Sequence, residues 1–269
     1  MMQPIFQTLS RFVQTNPYLW KCAWETIHHL PFLLPHDKSY LALRHFIALK
    51  PNGSFVDVGA NDGISALSFR RLSKDYHILS LEPNQLLESS LKTLKHKDNQ
   101  FDYRMIGAGS KAAHIQFLVP IYNGIKLHTF TSNRNDQIIT AITDAFGQRV
   151  ANKVKLHEVS AEVVPLDTLE LAPSIIKIDA EGFDYDVLLG AETTIQQSRP
   201  FLMVEIAWTD RSNILGFLAK HNYTTAIYNI ADDTFDTNLH HLSPNETGQR
   251  NIFAIPTELS GHIQNLAAL

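Results

Sequence analysis

The chain has 269 residues, and 44% of them are hydrophobic, so it can bury a large core and is not expected to be disordered. Lys and Arg total 23 against 27 Asp and Glu, and the formal net charge of -4 excludes the basic surface of a nonspecific nucleic-acid-binding protein. Cys22 is the single cysteine, which excludes an intrachain disulfide framework and a multi-cysteine zinc site and favours a reducing, cytoplasmic location.

Residues 1–50 predict a helical extension or cap. Apolar side chains recur at helical spacing from Ile5 to Val13 and again from Leu19 to Leu30. Few charges accompany them, which argues against a membrane surface, and no apolar run approaches the roughly 18 residues that a membrane span needs. We therefore expect these helices to pack on the main domain or on a second copy of the chain, so a homo-oligomer stays open.

Residues 51–269 predict one α/β domain with a doubly wound, mostly parallel sheet. Short apolar runs alternate with helical patterns, which is typical of βαβ units whose sheet is buried on both faces. The predicted parallel strands are Phe55–Val58, Ile78–Leu81, Tyr103–Ile106, Ile175–Ile178 and Leu202–Ile206. The predicted helices are Ile64–Leu72, Gln85–Leu94, Phe183–Gln197 and Ile214–His221. Two further strands, Thr225–Tyr228 and Asn251–Ile255, predict an antiparallel sheet edge.

A polar stretch followed by a helical pattern interrupts this alternation between about Pro120 and Glu158. A long insertion in a compact domain is usually functional or disordered. Its aromatic and histidine content favours a substrate lid, and we expect Tyr122, His128 and Phe130 to contact the substrate.

The segment SFVDVGANDGISAL predicts a strand, a tight turn and the start of a helix. Its glycines do not follow the G-x-G-x-x-G spacing of a dinucleotide site, and carboxylates at Asp57 and Asp62 would repel a pyrophosphate. The same carboxylates would attract the ammonium and sulfonium charges of S-adenosylmethionine. A turn without a ligand is the alternative. The candidate cofactor residues here are Asp57, Gly59, Ala60, Asn61 and Gly63.

The segment LEPN ends the second predicted strand with an acidic residue. In a doubly wound fold, a carboxylate at this place accepts hydrogen bonds from a ribose diol, and we assign this role to Glu82. Pro83 ends the strand and Asn84 can cap the next helix, so these two candidate cofactor neighbours also have a purely structural explanation.

The segment SIIKIDAEGFDYDVLLGA places charges in an apolar strand. Two-residue periodicity puts Lys177 and Asp179 on one face and Ile176 and Ile178 on the other. Because an unpaired buried lysine is costly, we expect Lys177 to meet a carboxylate from a neighbouring strand.

The motifs DVGANDG, LEPN, PLDTL and KIDAEGFDYDVLLGA, in this order, resemble the signature of FkbM-family methyltransferases. The resemblance covers roughly Ser54 to Ile206 and implies a class I, Rossmann-like O-methyltransferase with a seven-stranded sheet and S-adenosylmethionine as cofactor. It further implies that Glu82 lies at the ribose and that Asp179 and Glu181 lie beside the transferred methyl group.

An alcohol acceptor must lose its proton, which calls for a general base or a metal. Asp179 is the first candidate for the base, Glu181 the second, and His128 or His157 the third; Asp179 could instead only balance Lys177. A divalent cation held by Asp179 and Glu205 is a less favoured alternative.

Three functions are open on the sequence alone. The favoured one is transfer of a methyl group to a hydroxyl of a sugar or other small metabolite, with a small-molecule or glycan acceptor and no nucleic-acid partner. The alternatives are an NAD-dependent oxidoreductase and a non-catalytic binding module on the same fold.

Overall fold

The computed structural model of the chain describes residues 16–19, 22, 35–132, 134–206, 210–239 and 251–266. The chain divides into two compact units: a larger one formed by residues 34–113 and 162–269, and a smaller one formed by residues 1–33 and 114–161. The predicted helix from Ile5 to Val13 lies outside the described residues, as does the second predicted helix except for Leu19 and Cys22. Residues 35–50, which we expected in the N-terminal extension, lie in the larger unit.

The larger unit is an α/β domain. Its strands are β1 (Ser54–Val58), β2 (His77–Leu81), β3 (Phe101–Arg104), β4 (Gly107–Ala108), β8 (Ile175–Ile178), β9 (Phe201–Glu205), β10 (Tyr223–Asn229), β11 (Thr234–Asp236) and β12 (Asn251–Pro256). Its helices are α1 (Leu43–Leu49), α2 (Ile64–Arg70), α3 (Glu88–Lys97), α6 (Asp184–Leu189), α7 (Glu192–Ser198), α8 (Arg211–Lys220) and α9 (Thr257–Leu266).

The main sheet has the strand order β11-β10-β12-β9-β8-β1-β2-β3. The five strands from β9 to β3 run parallel, whereas β12, β10 and β11 pair antiparallel at one edge. The doubly wound fold and the antiparallel edge are therefore confirmed. Seven strands were expected; the eighth is the short β11, which pairs with β10 at the sheet edge.

The two faces of the sheet carry separate apolar cores. On the first face, Phe55, Ile175, Phe201 and Phe253 pack with aromatic and aliphatic residues of the segments around α1, α2, α3 and α9. On the second face, the alternate residues of the same strands pack against α6, α7 and α8. We predicted that Ile176 and Ile178 share one face of the sheet. This is confirmed, because both lie in the second core.

Two predicted elements differ from the structure for local reasons. The predicted strand Tyr103–Ile106 begins two residues earlier, because Phe101 is fully buried and pairs with Ile78. The single predicted helix after β8 is two helices. It divides near Gly190, where an added Cβ would lie 1.9 Å from the carbonyl oxygen of Gly109.

The smaller unit contains most of two strands that we did not predict, β5 (Ala113–Tyr122) and β7 (Lys155–Val164), together with β6 (Ile125–Lys126). In its sheet β7 lies beside β5 and β5 beside β6. It also contains the helices α4 (Asn135–Phe146) and α5 (Gln148–Ala151), and Leu127, Ile138 and Ile142 lie in its core. Within the described residues, no helix has the length and apolar character that a membrane span requires.

Candidate active site

The turn after β1 brings the backbone of three strands together. The N–H groups of Gly59 and Ala60 both donate to the Leu81 carbonyl of β2. Gly59 has a φ of +74°, and an added Cβ would lie 1.8 Å from the Asp179 carbonyl oxygen, so only glycine fits. Asn61 also has a left-handed backbone, and its Oδ1 is buried without a hydrogen-bond partner among the described residues. The predicted tight turn is confirmed, and Asn61 presents an unused acceptor in it.

Glu82 directly follows β2 and fastens this turn. Its Oε2 accepts from the Asn61 N–H at 2.8 Å and its Oε1 accepts from the Asn84 N–H at 2.8 Å. Asn84 in turn accepts from the Leu86 N–H, which confirms the predicted cap. The side chain is only 7% exposed, and burial raises the pKa of Glu82 to about 7, although the two N–H donors favour the ionised form.

The raised pKa of Glu82 predicts a pH-dependent stability. The folded state holds the proton more tightly than the unfolded chain, so this group stabilises the fold below about pH 4.5 and loses that contribution as the pH rises through about 7. A shift of this size corresponds to about 3 kcal/mol. We expect the free energy of unfolding, measured with urea, to decrease as the pH rises between these two values. This decrease should be about 3 kcal/mol larger in the parent than in Glu82→Gln. Parallel pH profiles of the two proteins would contradict this.

Asp57 of β1 is fully enclosed by protein atoms. It is 0% exposed, and its Oδ2 accepts from Ser65 Oγ at 2.5 Å and from Ser80 Oγ at 3.1 Å. Its Oδ1 lies 3.4 Å from Lys177 Nζ. Any influence of Asp57 on a ligand therefore passes through Lys177 and the glycine turn.

Lys177 of β8 is a buried cation between two strands. Its Nζ donates to the carbonyl oxygens of Val58 and Gly59 at 3.1 and 2.8 Å, and it lies 3.2 Å from Asp179 Oδ2. Burial alone would lower the pKa of Lys177, but the Asp179 and Asp57 carboxylates outweigh it and raise that pKa well above its usual value. The expectation that Lys177 meets a carboxylate from a neighbouring strand is confirmed, and the structure identifies that carboxylate as Asp57 of β1.

Asp179 follows β8 at the carboxyl edge of the sheet, and its side chain is 37% exposed. Burial pushes its pKa upward, yet the Lys177 ammonium and a hydrogen bond with Glu205 outweigh that effect, so the pKa of Asp179 lies below its usual value. A carboxylate held in its ionised form in this way is a weak proton acceptor.

Asp184 holds the turn that follows Asp179 and was not among the predicted site residues. It is buried and accepts from the N–H groups of Ala180 and Gly182 at 2.7 and 3.3 Å. Glu181 and Gly182 both have left-handed backbones in this turn, and Glu181 is exposed. Because the acidic residue begins α6, a helix-capping signal could have identified it.

A short segment before α1, residues 36–40, also belongs to this side of the sheet and was missed. The His36 N–H and ring Nδ1 lie 3.1 and 2.7 Å from Ser68 Oγ on α2. At the other end, Asn251 Nδ2 of β12 donates to Asp37 Oδ2 and Ser39 Oγ. Tyr40 is buried, with its hydroxyl lacking a hydrogen-bond partner among the described residues.

The predicted site residues of the insertion do not belong to the larger unit. Tyr122, His128, Phe130 and His157 belong to the smaller unit, and their roles stay predictions. Within the described ranges, no group of three or more His, Cys, Asp or Glu side chains is arranged to hold a metal ion.

Solved structures of similar fold include several methyltransferases. The methyltransferase FkbM from Methylobacillus flagellatus KT is 15% identical, with a TM-score of 0.48, over 85% of this chain and 57% of that one, so the chain spans less than two thirds of its length. A precorrin-6y C5,15-methyltransferase from Geobacter metallireducens (9% identity, TM-score 0.41) is matched over 83% of this chain and 91% of that one. A TehB-like methyltransferase from Corynebacterium glutamicum (11%, 0.41) is matched over 88% and 95%.

The sequence itself gives the decisive comparison. No curated protein sequence matches the chain, but the model of the methyltransferase FkbM domain matches residues 57–225, which is more than half of the chain. The match includes the glycine turn, Glu82 and the Lys177–Asp179 pair. The chain therefore belongs to the FkbM family of S-adenosylmethionine-dependent methyltransferases.

Proposed function

We propose that the chain transfers a methyl group from S-adenosylmethionine to a hydroxyl of a sugar or another small metabolite. Membership of the FkbM family supports methyl transfer over both alternatives, a nucleotide-dependent oxidoreductase and a non-catalytic module. The observation that carries the proposal is the linkage of the glycine turn, Glu82 and the Lys177–Asp179 pair at one edge of the sheet.

The residues present fit S-adenosylmethionine. The buried Asn61 Oδ1 needs a donor, and a ligand ammonium or hydroxyl would supply one. Each oxygen of Glu82 accepts one backbone N–H and keeps a further acceptor site, so the carboxylate can also accept from ribose hydroxyls. A pyrophosphate would meet the charge of Glu82 and Asp179 here, which disfavours a dinucleotide.

The reaction that these residues would support is an in-line displacement. When bound, S-adenosylmethionine supplies the methyl group on a sulfonium centre. The Lys177 ammonium fixes Asp179, and Asp184 fixes the turn that carries Glu181, so two carboxyl groups are held at the carboxyl edge of the sheet. Holding the acceptor hydroxyl in near-attack geometry supplies much of the acceleration of such a transfer.

The same chemistry supports the proposed acceptor class. Carboxylates accept hydrogen bonds from hydroxyl groups and repel anions, which favours a neutral hydroxylated acceptor. Cytoplasmic location and self-association stay predictions.

Two measurements test this proposal. Calorimetric titration with S-adenosylmethionine should show one binding site, whereas NADH should not compete. Incubation with S-adenosylmethionine and a panel of monosaccharides, glycosides, polyols and phenols should then give a product heavier by one methylene unit. Binding of S-adenosylmethionine without transfer to any panel compound would contradict the proposed acceptor class, and the absence of binding would contradict the cofactor.

Glu82→Ala should weaken S-adenosylmethionine binding, and it also removes the acceptor of the Asn61 and Asn84 N–H groups. The change removes a charged acceptor for ribose hydroxyls, and such a bond contributes on the order of 1.5 to 3 kcal/mol, so affinity should fall at least about tenfold. Calorimetric affinity at pH 8 is the measurement. Glu88→Ala, at an exposed glutamate of α3, is the matched control and should bind as the parent does. Equal affinity of the two variants would refute the assignment.

A further inference from the structure

The side chains of Asp179 and Glu205 form a pair of adjacent carboxyl groups. In the register of β8 and β9, Lys177 pairs with Met203 and Ile178 with Val204, so Asp179 and Glu205 are the next positions along the two parallel strands. Side chains of adjacent parallel strands at matched positions share a face of the sheet. This position agrees with the hydrogen bond to Glu205 that helps to lower the pKa of Asp179.

Two carboxyl groups that are joined by a hydrogen bond share one proton. Two carboxylates have only acceptor sites, so one of the groups has to be the protonated donor. Lys177 decides which group this is, because its Nζ lies 3.2 Å from Asp179 Oδ2 and stabilises Asp179 as the anion. The proton of the pair therefore lies on Glu205.

We propose that Glu205 is the catalytic base of the methyl-transfer reaction and that Asp179 is a positioning residue for it. This inference rests on the proposed function. When Glu205 loses its proton to solvent, its carboxylate lies next to the Asp179 carboxylate. Repulsion between the two carboxylates favours the return of a proton to Glu205. Asp179 does not take up this proton, because Lys177 keeps it ionised. Glu205 is also only partly buried, at the edge where the glycine turn and Asp179 lie.

The step balances in atoms and charge. The O–H bond of the acceptor breaks and its proton moves to the Glu205 carboxylate. The acceptor oxygen forms the new bond to the methyl carbon while the bond from that carbon to sulfur breaks. The bonding electron pair stays on sulfur, which leaves a neutral thioether, and Glu205 later returns its proton to solvent.

Several other ionisable groups surround this pair and share in its titration. From β8 and β1 these are Lys177 and Asp57, which form the buried ion pair. The segment before α1 contributes His36, Asp37 and Tyr40, of which His36 and Tyr40 interact electrostatically with Asp179. On β12, Asn251 is the residue in register with Glu205 and cannot ionise.

Glu205→Gln is the variant that separates the base from a structural role. The glutamine amide can still donate to Asp179, so folding and S-adenosylmethionine affinity should match the parent. Loss of a general base typically slows transfer by about a hundredfold to ten-thousandfold. With any acceptor from the panel, the transfer rate of the parent and of Glu205→Asp should rise with pH through one ionisation, and that rise should be missing in Glu205→Gln. Glu192→Gln, at an exposed salt bridge of α7, is the control and should keep the parent rate and profile.

A second readout needs no acceptor. Because Glu82 also holds a proton near neutral pH, this comparison is made in the Glu82→Gln background. Infrared spectra of Glu82→Gln at neutral pH should contain a protonated-carboxyl signal that becomes weaker when Glu205→Gln is added. An unchanged signal when Glu205→Gln is added to Glu82→Gln, or transfer by Glu205→Gln at the parent rate, would overturn the inference and leave the proposed function standing. A parent that methylates no panel compound would overturn the proposed function and the base assignment with it.

Discussion

Gly59→Ala should destabilise the protein by about 2 to 5 kcal/mol, the sum of backbone strain and a backbone overlap. Gly59 has a φ of +74°, in the left-handed region that side chains disfavour. The added Cβ would also lie 1.8 Å from the Asp179 carbonyl oxygen, which is backbone and cannot turn away. The turn after β1 and the end of β8 would have to separate, and this is where Lys177 donates to Gly59.

Gly124→Ala is the matched control for this prediction. Gly124 has a φ of +82°, but nothing described lies within 4 Å of an added Cβ. Gly124→Ala should therefore lower the free energy of unfolding only by the cost of a left-handed backbone, about 1 to 2 kcal/mol. Urea unfolding of the two variants measures the difference, which isolates the close approach of β1 and β8. Equal losses would show that the backbone at Gly59 adjusts without cost.

The sequence predicts the parts of the site that depend on periodicity within one strand. Lys177 and Asp179 alternate with Ile176 and Ile178, and a buried lysine needs a carboxylate, so the ion pair to a neighbouring strand follows from elementary physics. It could not predict that Asp57 is entirely enclosed. That depends on Ser65 and Ser80, which reach it from α2 and β2.

Contacts between distant segments account for what the sequence left out. The segment before α1 is held by Asn251, more than 200 residues away in the chain, and nothing local to Asp37 or Ser39 indicates that contact. The strand β7 is different, because Val159, Ala161 and Val163 alternate with exposed residues as a strand requires. We ended the insertion at Glu158 and assigned no element to the residues that follow it, so this signal was present but not used.

Lys177→Met should destabilise the protein by about 3 to 5 kcal/mol, because it leaves a buried carboxylate without its cation. Lys177 is 3% exposed and Asp57 0%, so solvent cannot replace the lost charge. Two main-chain carbonyls, of Val58 and Gly59, would lose their donor as well. Lys220→Met is the control: its side chain is 69% exposed in an ion pair with Glu192, and such pairs contribute about 0 to 1 kcal/mol.

The double variant Lys177→Met with Asp57→Asn distinguishes the charge from the packing. Asparagine can still accept from Ser65 and Ser80 through Oδ1, and it removes the uncompensated charge. If the charge dominates, the double variant should unfold at a higher urea concentration than Lys177→Met alone, and the coupling between the two positions should exceed about 1 kcal/mol. If the two single losses simply add, the lysine contributes mainly through its carbonyl contacts and its packing, and the ion pair with Asp57 is not what stabilises this edge of the sheet.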